Sequence, residues 1–193
     1  KPLAVYVQTE SRNFKNQSDP YGLTGIGVVS VACADLTGNG CADLVVGNYR
    51  SEFEHKTDSF IYWGTEKGFD TTGPHRLPGH FVQQVLLADL NEDGCKEIIF
   101  CGGDQVWIYW NDQGRFSPAN RLIIEAKGFS TMFCVGALRA EVAEVADVDG
   151  DGKNKLILAT EQGIEIRSAS DLQTVQTFLA LPYTSWISAA DLD

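Results

Sequence analysis

The sequence predicts an all-β protein assembled from repeated four-stranded antiparallel units, about three of them whole and a fourth split between the two ends. Three observations carry that prediction. A short apolar run, an Ala-Asp step, a turn rich in Gly, Asn and Asp, and a second apolar run recur along the chain. Each copy is followed by further strand-sized runs separated by turn residues. No apolar stripe of helical period persists over three turns.

The first copy reads Val31-Ala32-Cys33-Ala34-Asp35, a turn, then Asp43-Leu44-Val45-Val46-Gly47. The second reads Val85-Leu86-Leu87-Ala88-Asp89, a turn, then Glu97-Ile98-Ile99-Phe100, and the third Val145-Ala146-Asp147, a turn, then Lys155-Leu156-Ile157-Leu158. A fourth begins at Ile187-Ser188-Ala189-Ala190-Asp191-Leu192-Asp193. The leading aspartates recur at intervals of roughly 44–58 residues, the size of one propeller blade. A third strand follows in Ser59-Phe60-Ile61-Tyr62-Trp63, in Val106-Trp107-Ile108-Tyr109-Trp110 and, more weakly, in Ile164-Glu165-Ile166-Arg167. A fourth strand is expected in segments such as 121–125.

Approximate repeats are therefore 28–80, 81–137 and 138–183, with 184–193 starting a blade that residues 1–27 would complete. One four-stranded unit cannot bury both of its faces, so the units must pack side by side, as the blades of a β-propeller do. A β-sandwich would not explain why the same acidic turn returns at the same point of each unit. The opening residues, Lys1-Pro2-Leu3-Ala4-Val5-Tyr6-Val7, read like the strand that follows such a turn. Residues 3–7 are accordingly expected beside a strand of the blade containing Asp191, through ring closure, through a neighbouring copy in a tandem array, or within a larger propeller.

Composition narrows the functional classes. With 44% hydrophobic and 21% charged residues the chain is globular in character. Its 15 Lys and Arg against 26 Asp and Glu give a formal net charge of −11, which argues against nucleic acid as a partner and suits divalent cations better. No segment has the length of apolar sequence that a membrane-spanning helix needs. None of the five cysteines (Cys33, Cys41, Cys95, Cys101 and Cys134) forms a CxxC pair, so zinc-ribbon and thioredoxin-like readings fall away. The odd number leaves at least one thiol unpaired or bonded outside this segment. Asn16-Gln17-Ser18 would accept a glycan in a secreted protein.

The acidic turns carry the chemistry. Calcium takes six to eight oxygens in flexible geometry, and alternate side chains on a tight turn supply them. In the second loop Asp89, Asn91 and Asp93 occupy positions 1, 3 and 5, the Cys95 carbonyl serves at 7, and Glu97 closes at 9. The first loop offers Asp35, Thr37, Asn39, the Cys41 carbonyl and Asp43, with fewer charges and hence weaker expected binding. The third offers Asp147, Asp149, Asp151 and the Lys153 carbonyl, but its ninth position is Lys155. That lysine either reaches into the loop and displaces the ion or points to solvent; three crowded carboxylates favour a bound ion. Asp191 and Asp193 open a fourth loop of the same kind. Asp, Asn and Gly also make good turns without metal, which is the competing reading for any single loop. The loops are not helix-flanked EF-hands, because their twelfth positions are Val46, Phe100 and Leu158 where a glutamate is required.

The Asp-x-[Asn/Asp]-x-Asp-Gly turn followed by a Tyr-Trp strand resembles the FG-GAP and VCBS repeats of integrin-α-like propellers and of many extracellular bacterial proteins. The resemblance covers residues 28–193 and is strongest in the second and third copies. It implies a calcium-binding propeller at the cell surface or outside the cell, serving adhesion, binding or assembly. A carboxylate closes the loop in that family, so Lys155 departs from the pattern.

No catalytic arrangement stands out. Residues 128–132 lack the second glycine of a nucleophile elbow. Gly22, Gly25 and Gly27 form no dinucleotide fingerprint, and His55, His75 and His80 lack metalloprotease spacing. Trp63 and Trp110 hold equivalent positions, which favours packing over sugar stacking. The insertion at 48–58, with Tyr49, Arg50, Phe53 and His55, is the expected partner surface. Expected partners are a protein or glycan ligand, or neighbouring copies in a tandem or fibrous assembly. The alternative class is the propeller of a polysaccharide-active enzyme of lyase type, or a glycan-binding lectin.

Overall fold

The computed structural model describes residues 6–8, 14–16, 22–49, 57–70, 72–126, 143–181 and 187–189. Sixteen strands are described. Near the N-terminus β1 (Tyr6–Gln8) and β2 (Phe14–Asn16) pair as an antiparallel hairpin, with Tyr6 opposite Asn16 and Val7 opposite Lys15. Asp191, the other half of the expected end-to-end pairing, lies outside the described residues.

Three four-stranded antiparallel sheets follow. The first contains β3 (Val28–Ala34), β4 (Asp43–Asn48), β5 (Ser59–Tyr62) and, after a small hairpin of β6 (Gly64–Thr65) and β7 (Gly68–Phe69), β8 (His75–Leu77). The second is a meander of β9 (Val82–Ala88), β10 (Glu97–Gly102), β11 (Gln105–Tyr109) and β12 (Arg121–Glu125). The third repeats it with β13 (Ala143–Ala146), β14 (Lys155–Ala159), β15 (Ile164–Ser168) and β16 (Thr177–Leu179). The four strands expected per repeat are thus present in all three units.

The sheets stack face to face, and the pleat explains how one strand serves two neighbours. Successive side chains of a strand point to opposite faces. Ile98 and Phe100 of β10 pack with Val45, Ile61 and Leu77 of the first sheet, while Ile99 and Cys101 pack with Leu156 and Leu158 of the third. Every residue of β4, β10 and β14 is therefore buried. This is why these strands read as unbroken apolar runs instead of alternating ones. Leu44, Val46, Phe60 and Tyr62 on the remaining face of the first sheet are covered by Leu23, and the Tyr62 hydroxyl binds the backbone of Thr24.

Polar groups join the stacked sheets along their first strands. The Gln84 side chain donates to the Ala143 carbonyl at 2.8 Å and accepts from the Ala143 amide at 2.9 Å, acting as a backbone surrogate between β9 and β13. Ser30 accepts the Val85 amide at 3.0 Å in the same role between β3 and β9. Among the described residues no helix is long and apolar enough to cross a membrane.

Candidate functional site

The three acidic turns link the first and second strands of the three sheets, and they share one backbone plan. The leading aspartate accepts amides from the far side of its own turn. Asp35 accepts from Gly38 and Gly40, Asp89 from Asp93 and Gly94, and Asp147 from Gly150 and Gly152. Those amide bonds, led by Gly40 and by Gly152 respectively, hold the Asp35 and Asp147 carboxyls below the usual carboxylate range. Position 6 is a left-handed glycine in each loop: Gly40, Gly94 and Gly152. Position 4 is left-handed too, occupied by Gly38 and Gly150 but by Glu92 in the second loop, at φ 61°.

Glu92 shows what offsets that less favourable backbone. Its carboxylate accepts the Asn154 amide at 2.5 Å, and the Asn154 side chain donates to the Asp89 carbonyl at 2.7 Å. The second and third loops are thereby tied together. Asn111 ties the first loop to the second sheet in a comparable way, donating to the carbonyls of Leu36 at 2.9 Å and Lys96 at 3.0 Å while accepting from Gly114. Asn111→Ala is expected to destabilise the chain by about 1–2 kcal/mol, because it strands the buried Leu36 carbonyl and removes the bond to the half-buried Lys96 carbonyl. Urea denaturation checks this, and a loss indistinguishable from zero would count against the bridge.

The loops differ at position 9. Asp43 is fully buried; its two oxygens accept the amides of Leu36 at 2.9 Å and Gly64 at 2.7 Å. Gly64 is required there, since a Cβ would run into the Ala42 carbonyl. Burial raises the Asp43 carboxyl, partly countered by those amides. Glu97 is also fully buried, and its Oε2 accepts the Leu90 amide at 2.7 Å. Its Oε1 has no hydrogen-bond partner. Burial, reinforced by Asp93 and Asp89, pushes the Glu97 carboxyl up to about 7, against the pull of the Leu90 and Asn111 amides. The second loop therefore places a buried carboxyl, one of its oxygens without a hydrogen bond, beside the carboxylates of Asp93 and Asp89.

In the third loop the carboxylate oxygens of Asp147, Asp149 and Asp151 lie within 4.8 Å of one another, a grouping that could hold a metal ion. Lys155 points into it. Its ammonium donates to Asp149 at 2.9 Å, Asp151 at 2.7 Å and the Lys153 carbonyl at 3.0 Å. Asp151 is held low by that lysine, and Lys155 is raised in turn.

Of the other expected residues, Thr37, Asn39 and Cys41 belong to the first loop; Asn39 accepts the Cys41 amide and donates to the Gly64 carbonyl. In the second loop Asn91 donates to Asp93, and Asp93 accepts the Cys95 amide. Tyr49 packs its ring on Phe81 at 5.3 Å. Trp63 stacks on Phe116 and packs against the core between the first and second sheets, and Trp110 packs against the next. Arg50, Phe53, His55, Asp191, Asp193 and Cys134 lie outside the described residues, as does the side chain of Asn16. Cys33, Cys41, Cys95 and Cys101 are free, and burial pushes the Cys101 thiol up to about 12.

An all-β stack of four-stranded antiparallel sheets, with an Asp-rich turn at one fixed point of each, defines a class of repeat protein. Residues 89–158, from the second acidic loop through β14, match the family model of the FG-GAP-like repeat. Integrin alpha-4 of Xenopus laevis is 22% identical over 172 residues, 80% of this chain but 16% of that protein. The chain thus spans a small part of that relative's length. A solved structure of BBS1N in complex with ARL6DN, soaked with mercury, superposes with a TM-score of 0.49 at 14% identity, over 82% of this chain and 46% of that one.

Proposed function

We propose that the chain is part of an extracellular β-propeller that binds calcium and acts as a non-catalytic adhesion or assembly module. The observation that carries the reading is the buried Glu97 with its partnerless Oε1 beside Asp89 and Asp93. Asp89, Asn91, Asp93, Glu97 and the Cys95 carbonyl would hold the ion, which neutralises the carboxylates and cross-ties the two strands that the turn connects. The first loop, with one aspartate on the turn and Asp43 already saturated by amides, would bind more weakly.

The blade reading is supported by the order and stacking of the sheets, and the adhesive role by the FG-GAP repeat and the likeness to an integrin alpha chain. The exterior location rests on the same likeness and not on disulfides, since the four described cysteines are free. A protein or glycan ligand, or a further copy of the chain, is the expected partner. The test is to display the immobilised chain to cells and to a glycan array, in calcium and in chelator. Calcium-dependent capture is expected, with no unsaturated sugar released from any polysaccharide. Release of such products would favour the lyase reading instead, and no capture under either condition would remove the adhesive one.

A further inference from the structure

We propose that Lys155 is the third loop's own cation: its ammonium stands where a divalent ion would sit, so this loop stays closed without calcium. The inference goes beyond the proposed function and does not need the second loop to bind anything.

Position 9 is buried in each loop. Asp43 and Glu97 are 0% exposed there and Lys155 is 2% exposed. A lysine ammonium has three donors and no acceptor. All three are used, on Asp149, Asp151 and the Lys153 carbonyl. These groups are the oxygens of positions 3, 5 and 7, the set on which a calcium ion in such a loop would draw. An ion at that place would meet the ammonium at close range, and two cations cannot share one set of oxygens. The lysine also accounts for the crowding of the carboxylates, since it supplies the counter-charge that an ion would otherwise bring. The remaining member, Asp147, is served by the Gly150 and Gly152 amides.

A separate observation agrees. In the first two loops the residue after the leading aspartate is a buried leucine, Leu36 or Leu90, whose amide is held by the position 9 carboxylate. Lysine cannot accept a hydrogen bond. The corresponding Val148 is 43% exposed, so the third loop has given up this anchor and is closed by the ammonium instead. Its rigidity has a use. Asn154, one residue before Lys155, grips Glu92 and the Asp89 carbonyl. A loop that is closed at all calcium concentrations therefore buttresses the backbone of the loop beside it.

The test counts bound calcium by equilibrium dialysis in the wild-type chain and three variants. Asp149→Asn should leave the wild-type count unchanged. Lys155→Glu, which restores the carboxylate of the second loop, should gain one calcium per chain. Lys155→Met should melt lower than wild type in chelator and recover when calcium is added. Reductive methylation of the wild-type chain gives a readout independent of folding in any variant: Lys155 should resist labelling with and without calcium while the exposed Lys67 and Lys153 react. Loss of one bound calcium in Asp149→Asn, or labelling of Lys155 once calcium is added, would overturn the proposal. A wild-type chain that binds no calcium at all, with one gained in Lys155→Glu, would refute calcium binding at the second loop and leave this inference standing.

Discussion

Adding calcium to the metal-free chain is expected to raise its melting temperature by roughly 5–10 °C, most of it through the second loop. An ion at about a hundredfold its dissociation constant stabilises the folded state by about 2.7 kcal/mol, and each kcal/mol moves a domain of this size by about 2–4 °C. Glu97→Gln is the informative variant. It keeps an oxygen for the Leu90 amide but removes the charge that burial, Asp93 and Asp89 all disfavour. In chelator the variant should melt at or above the wild-type temperature, and in calcium it should lose most of the shift. Differential scanning calorimetry in both buffers reads the crossing. An equal calcium shift in wild type and Glu97→Gln would place the ion elsewhere or nowhere.

The four-stranded sheets were legible in the sequence because the stacking leaves a signature in each second strand. A strand covered on both faces must be apolar throughout, as in Ile98-Ile99-Phe100-Cys101, and a turn that recurs at one point of the unit betrays the repeat. The positions of the acidic loops followed from the same period. Details that depend on partners far along the chain were not legible. The Glu92–Asn154 bond joins residues of different repeats, and so do the Asn111–Leu36 and Gln84–Ala143 bonds; no local pattern signals such pairs. One clue existed for Glu92, since it stands where the other two loops have Gly38 and Gly150, a position needing left-handed backbone. Lys155 marks the same limit. Spacing placed it at the ninth position but left both directions open, and its inward course is decided by the three oxygens that surround the ammonium.

Phe100→Ala should be among the most damaging single changes in the chain, costing about 3–5 kcal/mol. Phe100 is 1% exposed on β10, in the cluster shared by the first two sheets with Val45, Ile61, Leu77 and Ile98. Its ring meets the Tyr109 ring edge-on at 5.8 Å, and the Tyr109 hydroxyl donates to the Pro78 carbonyl at 2.6 Å, just beyond the last strand of the first sheet. Removing the ring opens a void that the paired backbones on either side of β10 cannot close, because Phe100 is held in register with Val85 and Trp107. It also leaves Tyr109 without the surface that orients its hydroxyl toward the neighbouring sheet. The loss is a large share of the roughly 5–15 kcal/mol that a whole domain commands, so loosening should spread to the first two acidic loops, which hang from the same pair of sheets. Phe178→Ala is the control: its ring, on the last strand of the third sheet, is 47% exposed and should cost well under about 1 kcal/mol. Urea unfolding of both variants measures the difference, and comparable losses at the two positions would mean that the contact between the first and second sheets does not carry the stability assigned to it.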